Sequence, residues 1–211
     1  MRRLIIERSA IRNNMAVIKE RAQGAALYGV VSGQGGGVGA VRLARLLRDA
    51  GVTRFGVNSV EEAQLLRESG FETEEILMLR STVDRDELER LVDLSVVCTV
   101  SSVDTGLALN AVAENRSTVA EAHIQVDTGL GFGGFLISEP EKILLAYRSL
   151  PNVALSGIYT QLHAVSPKGP EVGAQLRQFR QVLDAIHAAG FETGTVHAAG
   201  SYALMHFDEA R

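Results

Sequence analysis

Two hydrophobic patterns alternate along the chain. Short apolar runs of β-type composition are separated by stretches in which apolar residues recur at three- and four-residue spacing, the period of a helix with one buried side. Leu4-Ile5-Ile6 opens as a short strand candidate. Ser9 stands where a helix N-cap belongs, and Ile11, Met15, Val17 and Ile18 give the segment to about Ala22 one apolar side. Strands are then predicted at 26–31, 54–58, 75–79, 95–100, 123–127, 153–160 and 193–198. Helices are predicted between them at about 40–50, 60–67, 84–91, 103–114, 140–149 and 172–189, with a last one starting at Tyr202. Gly51, Gly70 and Gly190 are the natural stops for three of these helices.

Strands alternating with helices through short connections specify a parallel α/β fold. Seven β-α units in a row predict a (β/α)8 TIM-type barrel rather than an open sheet. The length of 211 residues is short for that architecture, where about 250 is typical. No eighth strand follows residue 198, so the barrel is predicted to be incomplete. Leu4-Ile5-Ile6 would fill the gap, or the barrel stays open, or the chain is a piece of a longer one. No linker or repeat divides residues 1–211, so one domain is expected.

Composition narrows the function classes. A net charge of −4 offers no basic surface for nucleic acid or an anionic membrane. No apolar run reaches the ~20 residues of a membrane span, and the first residues soon meet charge, unlike a signal peptide. A cytoplasmic protein is expected. Cys98 is the only cysteine, set in an apolar run, and is expected to be a packed thiol. Lys19, Lys142 and Lys168 are the only three lysines, so any amine chemistry must use one of them.

The most conspicuous junction is Leu27 to Ala40. A strand empties into Ser32-Gly33-Gln34-Gly35-Gly36-Gly37-Val38-Gly39, and a helix follows. Backbone N–H groups at such a junction favour anions, which makes Gly35, Gly36 and Gly37 candidates for a phosphate cradle. Residues 35–40 also fit a loose G-x-G-x-x-A dinucleotide pattern. The acid expected about 20 residues later is replaced by Asn58-Ser59, which leaves a dinucleotide-binding oxidoreductase as a remote alternative.

Several blocks together resemble the N-terminal barrel domain of the alanine racemases. They are Ile6-Glu7-Arg8-Ser9-Ala10-Ile11-Arg12-Asn13-Asn14, Arg54-Phe55-Gly56-Val57, Val60-Glu61-Glu62-Ala63, Val126-Asp127-Thr128-Gly129-Leu130-Gly131, Gly157-Ile158-Tyr159-Thr160, Gln175-Leu176-Arg177-Gln178-Phe179, and His197 with Ser201. The resemblance runs from about residue 4 to 205. It implies a pyridoxal-phosphate (PLP) barrel and amino-acid racemisation. It also implies which positions should carry the chemistry, and there the chain departs. The family's strand-1 motif is V-V-K-A-N-A-Y-G-H-G, so its Schiff-base lysine aligns with Ser32, its tyrosine with Gly36 and its histidine with Val38. A strand-5 lysine aligns with Gln125, and the arginine of D-T-G-M-G-R with Phe132. The histidine after strand 6 falls on Gln161, with His163 nearby, and the asparagine of H-x-A-N-S is Gly200. The family's strand-8 residues and C-terminal β domain have no counterpart here.

Racemisation through PLP needs a lysine amine. Lys19 and Lys142 are expected on outer helices and Lys168 in an exposed loop. The expectation is therefore a racemase-like barrel without catalytic residues, possessing no covalently attached PLP. It would serve as a small-ligand or interaction domain. The alternative is PLP-dependent alanine racemisation by descent. Gly200 and Ser201 are further phosphate-type candidates, Ser201 serving equally as an N-cap. Asp127 is expected to hold the second glycine loop through its amides. His123, His163 and His197 are the only metal trio worth naming, and no metal is expected. A small anionic ligand and self-association through the unclosed barrel edge complete the expectations.

Overall fold

The computed structural model describes residues 5–163 and 169–210. The order is α1 (Arg8–Ala22), β1 (Tyr28–Val30), a helical turn α2 (Ser32–Gly36), α3 (Ala40–Asp49), β2 (Arg54–Val57), α4 (Val60–Glu68), β3 (Glu75–Met78), α5 (Arg85–Asp93), β4 (Cys98–Val100), α6 (Val103–Asn115) and β5 (Ala120–Asp127). It continues through β6 (Phe135–Leu136), α7 (Pro140–Ser149), β7 (Val153–Thr160), α8 (Pro170–Ala188), β8 (Thr195–His197), α9 (Ser201–His206) and a 3-10 turn, Asp208–Ala210.

Side-chain caps start α4, α5 and α6, whereas α1 begins at Arg8 with Glu7 as an N-cap that makes no side-chain bond, so Ser9 lies inside the helix and the expected Ser9 cap does not form. The Ser59 hydroxyl accepts the Glu62 N–H at 3.2 Å, and Asp84 accepts the Glu87 N–H at 2.9 Å. Ser102 and Thr105 cap α6 reciprocally. All strand pairs are parallel. One sheet runs β1-β2-β3 and a second runs β4-β5-β7-β8, with β6 added to β5. A bridge at Leu77 and Val97 joins the two sheets. Seven β-α units thus curve into most of a barrel.

The alternation of strand side chains decides what fills each face. Phe55, Val57, Ile76, Met78, Cys98, Val100, Ala122, Ile124, Val126 and Ile158 belong to the main core, packed with residues of the surrounding helices. Their neighbours Tyr28, Arg54, Glu75, Thr99, His123, Gln125, Tyr159 and His197 occupy the opposite face, the lumen. Gly29 lets α3 sit close: a Cβ there would lie 2.8 Å from Leu47 Cδ1. Cys98 is a buried core thiol, and burial pushes it up to about 12, as befits a packed thiol.

Three further expectations about elements are corrected. Ile5 and Ile6 form no strand, Ile5 is 79% exposed, and Leu4 lies outside the described residues, so the N-terminal segment does not supply the eighth strand. Two charged residues follow directly, and three apolar residues are too few to hold a strand there. Strand β4 begins at Cys98 rather than Ser95, because Ser95 takes a positive φ of 51° that ends α5's turn. Ser201 is the first helical residue of α9, and Gly200 is its N-cap without a side-chain bond, so the N-cap role of Ser201 does not hold.

Candidate active site at the carboxyl ends of the strands

The glycine loop after β1 is a closed turn, wound left-handed. Gly33, Gln34 and Gly35 have φ/ψ near 60°/40°, and Gly36 and Gly37 also have positive φ. Only a glycine-rich run accommodates this without a heavy Cβ penalty, which explains the composition of the loop. The turn consumes its own donors. The Gly35 N–H donates to Val31 O at 2.9 Å, Gly37 to Gln34 O at 3.1 Å, and Gly39 to Gln34 O at 2.8 Å. One Glu62 carboxylate oxygen accepts the Gly33 N–H at 2.7 Å, and the other accepts the Asn58 N–H at 3.0 Å. Gly35 is buried, Gly36 and Gly37 are exposed, and Ser32 is half-buried. Amides already bonded internally, with a carboxylate beside them, are poorly arranged to cradle a phosphate.

Glu62 stands in one of the blocks that carry the resemblance, but the sequence assigns it no site role. Its signal is present, however: Ser59-x-x-Glu62 has the spacing of a capping box. The serine half forms as usual. The glutamate half reaches one residue further, to Asn58, and across to Gly33, and so ties the β2 junction to the β1 loop.

The second glycine loop, after β5, is held as expected. Asp127 accepts the N–H groups of Gly129 at 2.9 Å and Gly131 at 3.0 Å. Beyond it, β6 pairs Phe135 with Val126 and Leu136 with Asp127. Gln125 is buried, and its amide lies 3.5 Å from Phe132 O. The Phe132 side chain is 75% exposed. Gln175 of α8 holds the chain three residues beyond β7: it accepts the His163 N–H at 2.9 Å and donates to His163 O at 2.8 Å. Gly200 and Ser201 lie exposed at the end of β8.

The titratable groups gather in the lumen instead. His123 Nδ1 and His197 Nε2 are 3.0 Å apart. His197 stacks between Tyr28 and Tyr159, with ring centroids at 5.0 and 4.8 Å. The Tyr159 hydroxyl lies 3.0 Å from the Thr99 hydroxyl, which donates to Met78 O at 2.7 Å. The Tyr28 hydroxyl bonds to Glu75, and Arg54 Nε lies 3.4 Å from the same carboxylate. Burial, with His123 and Arg54 nearby, brings His197 down to about 3. Burial also lowers His123. Both imidazoles are therefore neutral near pH 7, one N–H donating to the other ring. Burial pushes Tyr159 up to about 12, and burial with the Glu75 bond raises Tyr28. Of the three histidines considered as metal ligands, His163 does not join this pair. No group of three His, Cys, Asp or Glu side chains suited to a metal forms among the described residues.

The two described amines lie elsewhere. Lys19 Nζ donates to Ala50 O at 2.5 Å, on the amino side of β2, the far end from the candidate site. Lys142 pairs with Glu139 at 2.8 Å on α7, its side chain 51% exposed. Lys168 lies outside the described residues. Ser32 supplies a hydroxyl, which forms no imine. The described residues therefore do not fit a covalently held PLP. No described helix is long and apolar enough to cross a membrane.

Comparison with known proteins accounts for the architecture. The family "Alanine racemase, N-terminal domain" matches residues 6–211. An alanine racemase of Desulforamulus reducens is 30% identical over 97% of this chain and 55% of its own length. One of Carboxydothermus hydrogenoformans is 31% identical over 95% of this chain and 54% of its own length. Among solved structures, an alanine racemase of Clostridium difficile 630, in complex with cycloserine, superposes with a TM-score of 0.89 at 25% identity, covering 96% of this chain and 56% of that one. The chain thus spans about half the length of the relatives it matches. With seven parallel β-α units in the racemase order and a family match along nearly its whole length, the chain belongs to the alanine racemase N-terminal domain family.

Proposed function

We propose that this barrel domain does not itself carry out PLP-dependent racemisation and acts as a non-catalytic member of its family, holding a small anionic ligand or a partner. The observation that carries this reading is the junction after β1. By the resemblance Ser32 stands where the family's Schiff-base lysine would be, and the loop beyond it is a self-bonded glycine turn braced by Glu62. Neither of the two described lysines is placed to substitute. Any PLP would then be held without a covalent bond. Gly36, exposed in the turn, and Gly200 and Ser201, exposed at the end of β8, are the remaining candidates for a phosphate, since Gly35 and Gly37 have spent their amides.

Purified protein incubated with PLP, then treated with borohydride and mapped by mass spectrometry, should carry no pyridoxyl-lysine. It should convert no L-alanine to D-alanine above a protein-free control. The second reading, racemisation by descent, is favoured by the family match over residues 6–211. Borohydride-trapped pyridoxyl on Lys168 with accompanying turnover would establish it and overturn the first. A Ser32→Lys variant is expected to gain a trapped adduct at residue 32.

The same reading includes self-association through the unpaired edges of β1 and β8, where Val196 is 46% exposed. Light scattering should report a mass above the monomer, and a monodisperse monomer would contradict it.

A further inference from the structure

We infer that the open side of the barrel is fastened by a proton-sensitive ring latch: Tyr28, His123 and His197 hold the edge strands β1 and β8 together while both imidazoles are neutral, and acid releases them. The two seams between the sheets are unequal. At the β3–β4 seam the Met78 N–H donates to Val97 O at 2.9 Å, and the Val97 N–H donates to Ile76 O at 2.8 Å. The hydroxyls of Ser101 and Ser81 meet across it at 2.7 Å. At the opposite seam, among the described residues, β1 pairs only with β2, and β8 only with β7. What crosses that seam in the lumen is ring contact. The Tyr28 and His197 rings lie 28° from parallel, and the Tyr28 ring meets His123 edge-on at 6.5 Å. Outside the lumen, α1 packs against α9.

The latch depends on a fitted pair. Gly157 makes room for His123, since a Cβ there would fall 2.5 Å from its ring. A neutral pair needs one N–H and one lone pair across the 3.0 Å gap. A first added proton puts charge among stacked rings, and a second leaves two donors facing each other. Charged or titratable groups face the pair from β1 (Tyr28), β2 (Arg54), β3 (Glu75) and β7 (Tyr159). β4 contributes only the Thr99 hydroxyl. Among the described residues Glu75 is the one anion at the pair, and it is already engaged by the Tyr28 hydroxyl and Arg54. Arg54 adds repulsion. The proton is therefore accommodated when the rings part and reach water, which frees β1 and β8 first.

Hydrogen exchange of the full chain at successive pH values, corrected for the intrinsic pH dependence of exchange, tests this. Protection of residues 28–30 and 195–197 should fall by about tenfold per pH unit below about 6.5 for each imidazole released. Protection of β2 and β5 should stay nearly constant over the same range. The His123→Phe/His197→Phe double variant keeps rings in place without titrating nitrogens, and its edge strands should show no such pH dependence. Should that variant fail to fold, the wild-type contrast decides alone. Equal loss in edge and inner strands, or undiminished protection at the edges down to pH 5, overturns the latch.

Discussion

The two glycine loops at the carboxyl ends of the strands look alike in sequence and are built on opposite principles. The loop after β1 uses glycine for conformation: Gly33, Gly36 and Gly37 have open space around them but left-handed backbone angles. The loop after β5 uses it for proximity as well, because a Cβ on Gly134 would lie 2.8 Å from Asp127 N and 2.9 Å from Val126 C. The first is braced from outside, by Glu62 of α4. The second is braced from within, by Asp127. In both loops part of the amide row is engaged within the protein, at Gly33, Gly35, Gly37 and Gly39 in the first and at Gly129 and Gly131 in the second, so richness in glycine here serves backbone geometry.

Substitutions separate the two principles, the most damaging first. Gly134→Ala combines a φ of 119° with contact against β5 backbone that cannot move aside. It should cost about 3 kcal/mol or more in denaturant melts and detach β6. Glu62→Ala removes the acceptor of two N–H groups and should cost about 1–3 kcal/mol, with raised amide exchange at Gly33 and Asn58. Asp127→Ala should cost about 1–2 kcal/mol by the same logic, with the loss confined to Gly129 and Gly131. Gly36→Ala meets no atom and should cost only about 1–2 kcal/mol, the penalty for a left-handed angle. Equal costs at Gly36 and Gly134 would erase the distinction between the loops.

Acid gives a further contrast, between rim and lumen. His197 is brought down to about 3 in the folded state, and His123 is lowered in the same direction. Between the ordinary histidine value near 6.5 and those lowered values, the unfolded chain binds protons that the folded chain does not. Stability is therefore complete above pH ~6.5 and is lost as pH falls below it, by up to about 1.4 kcal/mol per pH unit for each imidazole. Denaturant melts across pH 7.5 to 5 should show this slope in the wild type and a flatter one in the His123→Phe/His197→Phe variant. The rim glycine variants should keep the wild-type slope.

Much of the fold was legible because its elements announce themselves locally. Ser59, Asp84 and Ser102 cap helices where they stand, and the apolar runs at 54–57, 75–78 and 153–160 are short and bounded. Asp127 as holder of its own loop was legible too, since an Asp followed by glycines bonds locally. The Glu62 brace and the Tyr28–His197 stack were not. Each joins residues far apart in sequence, and no local periodicity encodes a contact that exists only once the barrel curves. The two-residue strand β6 escaped for another reason. Gly133 and Gly134 mask it as loop, yet the same glycines allow its close approach to β5. The alignment of Ser32 with the family lysine came from the resemblance alone, since nothing local distinguishes a serine that replaces a lysine.

The most direct measurement is the PLP test on the purified chain, combining borohydride trapping with an L- to D-alanine assay. The account predicts no pyridoxyl-lysine and no D-alanine above the protein-free control, with an adduct appearing at residue 32 only in Ser32→Lys. A trapped adduct on Lys19, Lys142 or Lys168 of the wild type, together with racemisation, would contradict it.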